Sequence, residues 1–376
     1  MKKMFVPVNE PVISKIEKDY LLKCIRNKEI SSSGKFVKEF EKKFAKKVNR
    51  KYAIAVSNGT AALQLAYESL SLKKGDEVII PAFTIISCIL PVIRSAATPV
   101  LVDCDINTWN MDVKKTINKI TKNTKAIITP HIYGLAVDLD PLIKICKKKN
   151  IRIIEDAAEC LGLKYKGLPC GSFGDVSTFS FYANKHITTG EGGMIVTNNK
   201  NIYERCKSLR NLFFNEKRRF KHFELGWNYR FTNIQASLGL AQLKQLEKFV
   251  RIKRRIGNKY ISKLCNLKHV IQPIKKLKYC ENIFWVYGLV IKKNSKLKLN
   301  EIRKKLLNKG VDTRNFFWPL NKQPILNKMG YFKNQKFPVA EYLSENGFYI
   351  PSGLALTKKQ QDYVIKEVQD ILNREK

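Results

Sequence analysis

The chain has 376 residues, 44% of them hydrophobic, with ordinary proportions of glycine and proline, which is typical of a globular protein of about two domains. Its 70 lysines and arginines against 32 acidic residues give a formal charge of +38. A nucleic-acid-binding protein would concentrate this charge on one surface, whereas here basic residues are spread through nearly every predicted helix. The sequence shows no signal-peptide pattern and no run long enough to span a bilayer. We therefore expect a cytoplasmic protein that binds neither nucleic acid nor membranes.

Cysteine and histidine patterns give no sign of a disulfide framework or a metal site. The nine cysteines contain no CxxC pair and lie mostly in apolar segments, as reduced core cysteines do. The four histidines are scattered without the spacing of metal ligands; they are His131, His186, His222 and His269. We expect no metal site.

In chain order, a predicted loop at residues 30–34 precedes a helix at about 36–48, and short apolar strands then alternate with helices. The predicted strands are residues 52–56, 77–80, 99–103, 126–130, 151–154, 176–183 and 194–197. The predicted helices are residues 61–72, 85–96, 113–120, 139–148 and 202–212, followed by a long helical stretch from 234 to 264. This alternation predicts an α/β fold with a mostly parallel sheet covered on both faces, which binds ligands at the carboxyl ends of its strands.

The pattern changes after about residue 267. A strand at 284–291, a helix near 299–308, a proline-interrupted stretch at 314–324 and a final helix at 358–372 predict a smaller α+β domain. We place the large domain at residues 1–250 and the small C-terminal domain at residues 251–376.

Lys185 is the candidate reactive residue, because it lies between an apolar strand and the glycine-rich turn at residues 190–193. A lysine partly removed from water loses its proton more readily and can attack a carbonyl to form a Schiff base, as pyridoxal phosphate (PLP) enzymes require. In such a basic chain a single lysine is usually a solvated surface residue. The hypothesis therefore needs support from other positions.

Two other positions give that support. The turn at residues 57–60 precedes a predicted helix, where free N–H groups and the hydroxyls of Ser57 and Thr60 suit a phosphate, although a plain helix cap fits equally well. Asp156 comes directly after a buried strand. A carboxylate there can keep the pyridinium nitrogen of PLP protonated, although a lone aspartate after a strand is more often a helix cap.

Six segments around these residues resemble the DegT/DnrJ/EryC1/StrS family of nucleotide-sugar aminotransferases, and the resemblance covers essentially the whole chain. The segments are SNGTAAL (57–63), EDAAE (155–159), GSFGD (171–175), FSFYANK (179–185), TTGEGG (188–193) and GWNYR (226–230). The resemblance implies the fold of a fold type I PLP-dependent aminotransferase, with PLP as cofactor.

The same resemblance implies a role for each matching residue. Lys185 would form the Schiff base with PLP and move the proton during transfer, Asp156 would pair with the pyridinium nitrogen, and Glu159 would lie near the ring hydroxyl. Phe83 would stack on the ring. The phosphate would be held by Gly59, Thr60, Ala61, Ser180 and, from the neighbouring subunit of a homodimer, Asn228.

The implied reaction has two halves. Glutamate gives its amine to PLP, which leaves pyridoxamine 5'-phosphate and 2-oxoglutarate, and the amine then moves to the ketone of a nucleotide-linked sugar. Some relatives carry histidine in place of the lysine and are dehydratases. Lys185 therefore favours aminotransfer.

The C-terminal segments 313–320 and 349–356 resemble the family members that aminate a GDP-linked 4-keto-6-deoxymannose at C4. Asn321 stands where we expect histidine, and Ala183 and His186 depart from the usual residues around the lysine. A UDP- or dTDP-linked 4-keto-6-deoxy sugar therefore remains an alternative substrate.

We predict that Arg230, Phe317 and Trp318 bind the nucleotide sugar by charge and stacking. A more distant alternative, based on the high positive charge, is a non-catalytic regulator with this fold.

Overall fold

The computed structural model describes residues 4–215 and 218–373. The ends of the two predicted domains, residues 1–3 and 374–376, lie outside the described residues. The α-helices in the described part are α1 Lys15–Arg26, α2 Lys35–Lys47, α3 Gly59–Glu68, α4 Leu90–Arg94, α5 Val113–Asn118, α6 Leu139–Lys149, α7 Lys200–Arg210, α8 Asn233–Lys263, α9 Leu299–Asn308, α10 Pro324–Lys328, α11 Pro338–Asn346 and α12 Lys358–Leu372. The strands are β1 Tyr52–Val56, β2 Glu77–Pro81, β3 Thr98–Val102, β4 Thr124–Pro130, β5 Arg152–Asp156, β6 Lys164–Tyr165, β7 Leu168–Pro169, β8 Val176–Ser180, β9 Gly193–Thr197, β10 Val270–Ile271, β11 Tyr287–Ile291, β12 Arg314–Asn315 and β13 Gly347–Ile350.

The large domain is built on a seven-stranded sheet in the order β1-β9-β8-β5-β4-β2-β3. Strands β3, β2, β4, β5 and β8 are parallel, and β9 runs antiparallel to both β1 and β8. Strands β2, β4, β5 and β8 are each buried at all but one residue because helices cover both faces of the sheet. The predicted mostly parallel α/β sheet is confirmed.

The smaller C-terminal domain has an antiparallel sheet in the order β10-β11-β13-β12. Helix α8 runs for 31 residues and contributes to both parts of the core. Leu240 and Leu246 pack in the core of the large domain, whereas Ile256 and Tyr260 pack with the strands of the smaller one. The division at residue 250 stays a prediction, since α8 continues through it.

Local chemistry explains where the predicted helices differ from the observed ones. The single helix predicted at 85–96 is instead a 3-10 turn, Ile86–Cys88, followed by α4, because Pro91 has no N–H to continue a helical ladder from the preceding turn. Helix α1 was not predicted; it buries Glu17 and Cys24, whereas its apolar side chains Ile16, Leu22 and Ile25 are exposed. None of the helices within residues 4–215 and 218–373 combines the length and apolar character needed to cross a membrane.

Candidate active site

A cavity of about 610 Å³ opens at the carboxyl ends of the parallel strands β2, β4, β5 and β8. This is the edge of the sheet at which the alternating pattern predicted a ligand site. Eight of the predicted site residues line it: Gly59, Thr60, Ala61, Asp156, Glu159, Ser180, Lys185 and Phe317.

The N-terminus of α3 forms one wall of the cavity. The side chain of Asn58 caps the helix by accepting a hydrogen bond from the N–H of Ala61 at 2.8 Å. The Thr60 hydroxyl lies 2.8 Å from that of Ser87. A Cβ atom at Gly59 would stand 2.9 Å from Cβ of Ser180, so only glycine lets the helix start approach β8 this closely. Together, the hydroxyl groups and the helix N-terminus make an anion-binding wall.

Lys185 lies between a carboxylate and an aromatic ring. Its Nζ is 3.8 Å from Oε1 of Glu159 and 3.9 Å from the ring centroid of Trp285. Only 13% of the Lys185 side chain is exposed, and this burial lowers its pKa. Burial likewise raises the pKa of Glu159, whose Oε2 accepts the N–H of Tyr133 at 2.9 Å. The two pKa values therefore move towards each other, and a proton passes between Nζ of Lys185 and the carboxylate of Glu159 more easily than between two solvated groups.

Asp156 ends β5 and is 5% exposed. Its Oδ1 accepts the N–H of Ala158 at 3.1 Å, and the Cys88 thiol donates to its Oδ2 at 3.4 Å. Burial raises the pKa of Asp156. A cationic N–H placed against this carboxylate would compensate for the cost of burying it.

Beneath the cavity, a fully buried carboxylate at Glu155 accepts five hydrogen bonds. The donors are the N–H groups of Gly171, Phe173 and Gly174, the hydroxyl of Ser177 and Nε2 of His131. Nδ1 of His131 accepts the N–H of Val137 at 3.1 Å, so Nε2 carries the ring hydrogen. Burial alone would raise the pKa of Glu155, but these hydrogen bonds outweigh it and hold the pKa at about 2.

Four predicted site residues lie outside the cavity. Phe83 is fully buried behind its wall, with its ring 5.8 Å from that of Phe317, and Ile85 faces the cavity instead. This geometry gives no support to stacking by Phe83 in the cavity. Asn228 is exposed, and its backbone forms an isolated β-bridge with Asn211. Arg230 donates a hydrogen bond to Oδ1 of Asn211 at 3.0 Å and lines a different cavity.

The fourth, Trp318, is 54% exposed and donates to the carbonyl of Lys322 at 2.9 Å. The roles of all four residues stay predictions.

Sequence reasoning missed several cavity residues. Trp285 comes from the start of the segment leading into β11, far from any motif, and no sequence signal indicated it. His131 was visible as a polar residue after a predicted strand, as Asp156 was, but nothing paired it with Glu155. Asn58 lies in the predicted 57–60 turn and Ser87 near the start of the helix predicted at 85–96, but the sequence did not indicate the contacts of either residue.

One group of possible metal ligands comes together within the described residues. Ligand atoms of His131, Cys160 and Cys170 lie within 4.8 Å of one another, and all three residues are buried. Both ring nitrogens of His131 are already hydrogen-bonded, so coordination of a metal by this trio would require one of those bonds to break.

The cavity fits the PLP that the resemblance implies. It has a size suited to a small cofactor, an amine with a lowered pKa and an anion-binding helix N-terminus. It also has a buried carboxylate, Asp156, for which the described part of the chain supplies no cationic partner within hydrogen-bond range. The hydroxyl of Thr178, which also lies in the cavity wall, has no hydrogen-bond partner among the described residues.

Comparison with known proteins identifies the family. The model of the DegT/DnrJ/EryC1/StrS aminotransferase family matches residues 11–369. The chain belongs to this aminotransferase family. The predicted family and enzyme class are therefore confirmed.

Several relatives cover the chain almost completely. It is 39% identical to the GDP-perosamine synthase of Escherichia coli O157:H7, over 97% of this chain and 98% of that one. The PLP form of a putative sugar aminotransferase from Streptococcus pneumoniae superposes with a TM-score of 0.92 at 26% identity, over 99% of each chain. A GDP-4-keto-6-deoxy-D-mannose-3-dehydratase from E. coli with bound hydrated PLP superposes with a TM-score of 0.88 at 26% identity, over 97% of this chain and 100% of that one. These likenesses confirm the predicted aminotransferase fold.

The buried Glu155 network predicts a specific loss of stability in acid. The pKa of Glu155 lies below the ordinary 4.5, at about 2, so its contribution is fully present above about pH 5 and is lost as pH falls from 4.5 towards 2. That shift corresponds to about 3 kcal/mol. Urea unfolding of wild type and Glu155→Gln between pH 2.5 and 7 should show a difference in unfolding free energy that shrinks by about this amount towards the acid end.

Glu345→Gln serves as the control because Glu345 is exposed. A constant difference between wild type and Glu155→Gln across this pH range would contradict the role given to the Glu155 carboxylate.

Proposed function

We propose that this enzyme transfers an amino group from glutamate to C4 of a GDP-linked 4-keto-6-deoxymannose, giving GDP-perosamine, with PLP as cofactor. The observation that supports the chemistry best is the partly desolvated amine of Lys185 in a cavity that also holds Asp156 and the N-terminus of α3. The substrate is supported by 37–39% identity over nearly the whole chain to two GDP-perosamine synthases.

The predicted cofactor-binding residues of the cavity have distinct tasks in this reaction. Lys185 would hold PLP covalently through Nζ, Asp156 would keep its ring nitrogen protonated, and the hydroxyls of Thr60 and Ser180 with the N–H groups of α3 would hold its phosphate. When bound, PLP supplies an electron sink that stabilises negative charge at the carbon that loses a proton.

Proton transfer is the task of Lys185 once its amine is free. Because burial lowers its pKa, Nζ takes a proton from one carbon and returns it to another more readily than a solvated lysine could. Glu159, 3.8 Å away, compensates for the charge whenever Nζ is protonated. Phe317 and Trp285 in the wall exclude water from the space around Nζ.

We also propose that the enzyme is a homodimer with shared active sites. Asn228 is exposed and lies outside the cavity of its own chain, as a residue that serves a neighbouring site would. The adjacent segment exposes large apolar side chains at Phe220, Phe223 and Leu225, the last of them with 94% of its surface exposed. Such side chains are typical of a surface that another subunit covers.

Replacing Lys185 tests the chemistry. Lys185→Ala should lower kcat by at least about 1000-fold, because both the covalent attachment and the proton transfer are lost. Borohydride reduction of the wild-type protein with PLP, followed by peptide mass spectrometry, should find the phosphopyridoxyl group on Lys185. The exposed Lys166→Ala is the control. Aminotransfer that survives in Lys185→Ala would contradict the proposal.

A panel of substrates tests the sugar and the donor. We expect kcat/KM for the GDP-linked 4-keto-6-deoxymannose to exceed those for UDP- and dTDP-linked 4-keto-6-deoxy sugars by about 100-fold or more, with glutamate as the best donor. A preference for a UDP or dTDP sugar would assign the alternative substrate. Trp318→Ala and Phe317→Ala belong in the same panel, since a change in the KM of the sugar nucleotide shows which of the two rings contacts it.

Mixing two inactive variants tests the shared site. If Asn228 serves the neighbouring subunit, a heterodimer of Lys185→Ala and Asn228→Ala contains one intact site. Refolding the two together should then restore about a quarter of wild-type activity, since about half of the dimers are mixed and each has one working site. No recovery, with heterodimers demonstrated by mass, would contradict the proposed role of Asn228 in the neighbouring site.

A further inference from the structure

Lys253 is a fully buried lysine, and no carboxylate forms an ion pair with it among the described residues. Its Nζ donates to the carbonyl of Trp285 at 2.8 Å and to the carbonyl of Ser352. Burial lowers its pKa to about 7. A buried amine without a counter-charge is stabilised mainly by its hydrogen bonds, so the two carbonyl groups that accept from Nζ indicate what Lys253 holds in place.

The helix face that carries Lys253 binds the segment leading into β11. Lys253, Gly257 and Tyr260 lie on one buried side of α8, at spacings of four and three residues. A Cβ atom at Gly257 would stand 2.2 Å from Cδ2 of Phe284, so the ring of Phe284 lies directly on the helix backbone. The hydroxyl of Tyr260 donates to the carbonyl of Pro351 at 2.6 Å. This face therefore fixes both the segment around Trp285 and the segment around Ser352.

The side chain of Trp285 contacts the reactive amine of Lys185. The Trp285 ring centroid lies 3.9 Å from Nζ of Lys185, and the indole N–H donates to the carbonyl of Asn184 at 2.9 Å. A cation above an indole face is stabilised by the ring quadrupole. The position of the ring therefore affects how strongly Lys185 holds its proton.

We propose that Lys253 is a positioning residue for the reaction, which holds the backbone of Trp285 so that the indole lies against Nζ of Lys185. The proposal rests on the proposed function, in which Lys185 is the reactive amine. Lys253 itself touches neither the cavity nor any predicted cofactor residue. Its effect on Lys185 passes through Trp285.

The test is a double-mutant cycle measured on the protein without PLP. Wild type, Lys253→Met, Trp285→Leu and the double variant are labelled with acetic anhydride over pH 6–11, and mass spectrometry gives the pH midpoint of labelling at Lys185. Glu159, Asp156 and the thiol of Cys160 also act on Lys185, and the buried ring of His186 lies near both Lys185 and Lys253. These four groups are the same in all four proteins. The exposed Lys248→Met on the same helix is the matched control.

We expect Lys253→Met to lower the midpoint by about half a pH unit or more, since the ammonium form loses the indole face. Trp285→Leu should lower it similarly, and the double variant should show no further change. With PLP bound, kcat should fall roughly 10-fold in Lys253→Met while the KM for glutamate stays constant. Melting temperature, measured in parallel, reports any purely structural loss.

The proposal is overturned if the midpoint in Lys253→Met stays constant, or if it rises, as it would if only a like charge had been removed. It is equally overturned if the double variant shifts by the sum of the two single shifts. If the methionine variant does not fold, Lys253→Gln replaces it. Glutamine keeps polar N–H groups, but its shorter side chain does not reach the carbonyl groups that Nζ contacts, so the same shift is expected. Because labelling needs neither PLP nor turnover, failure here is distinct from failure of the proposed function.

Discussion

The buried carboxylate of Glu155 is the constraint on which the geometry of the site depends. It lies at the end of β5 and accepts hydrogen bonds from the 171–174 loop, from β8 and from the histidine that follows β4. An unpaired charge in this position would cost several kcal/mol, so the three segments have one stable arrangement around it. Asp156 follows Glu155 directly in the chain and Glu159 comes three residues after Asp156, so both cavity carboxylates lie next to this network.

Three titratable side chains of the cavity are largely buried, although burial ordinarily makes such groups costly. Lys185 has a lowered pKa, and Asp156 and Glu159 have raised ones, all because they are removed from water. Among residues 4–215 and 218–373, none of the three forms a close ion pair, since the Lys185–Glu159 contact is 3.8 Å long. Such incomplete pairing is typical of a site prepared for a charged ligand rather than of a structural salt bridge.

The sequence predicted the sheet and the position of the cavity because both follow from local pattern. Apolar strands alternating with helices fix the parallel order, and the carboxyl ends of the strands then bring Asp156 and Lys185 together. Trp285 could not be predicted, because it reaches the site from about 100 residues further along through contacts with α8 that leave no local pattern. Phe83 lies behind the wall because the neighbouring aromatic cluster, which includes Tyr133, Phe316 and Phe317, provides it with a buried site.

Helix α8 joins the two cores without a break. A rotation of the smaller domain against the larger one would have to bend this helix within its hydrogen-bonded interior. Otherwise it would have to break the buried contacts that Gly257 and Tyr260 make with the smaller domain. Both changes are costly compared with rearranging a loop. We therefore expect entry of a bulky substrate into the cavity to depend on the side chains and loops at its rim rather than on rotation of one domain against the other.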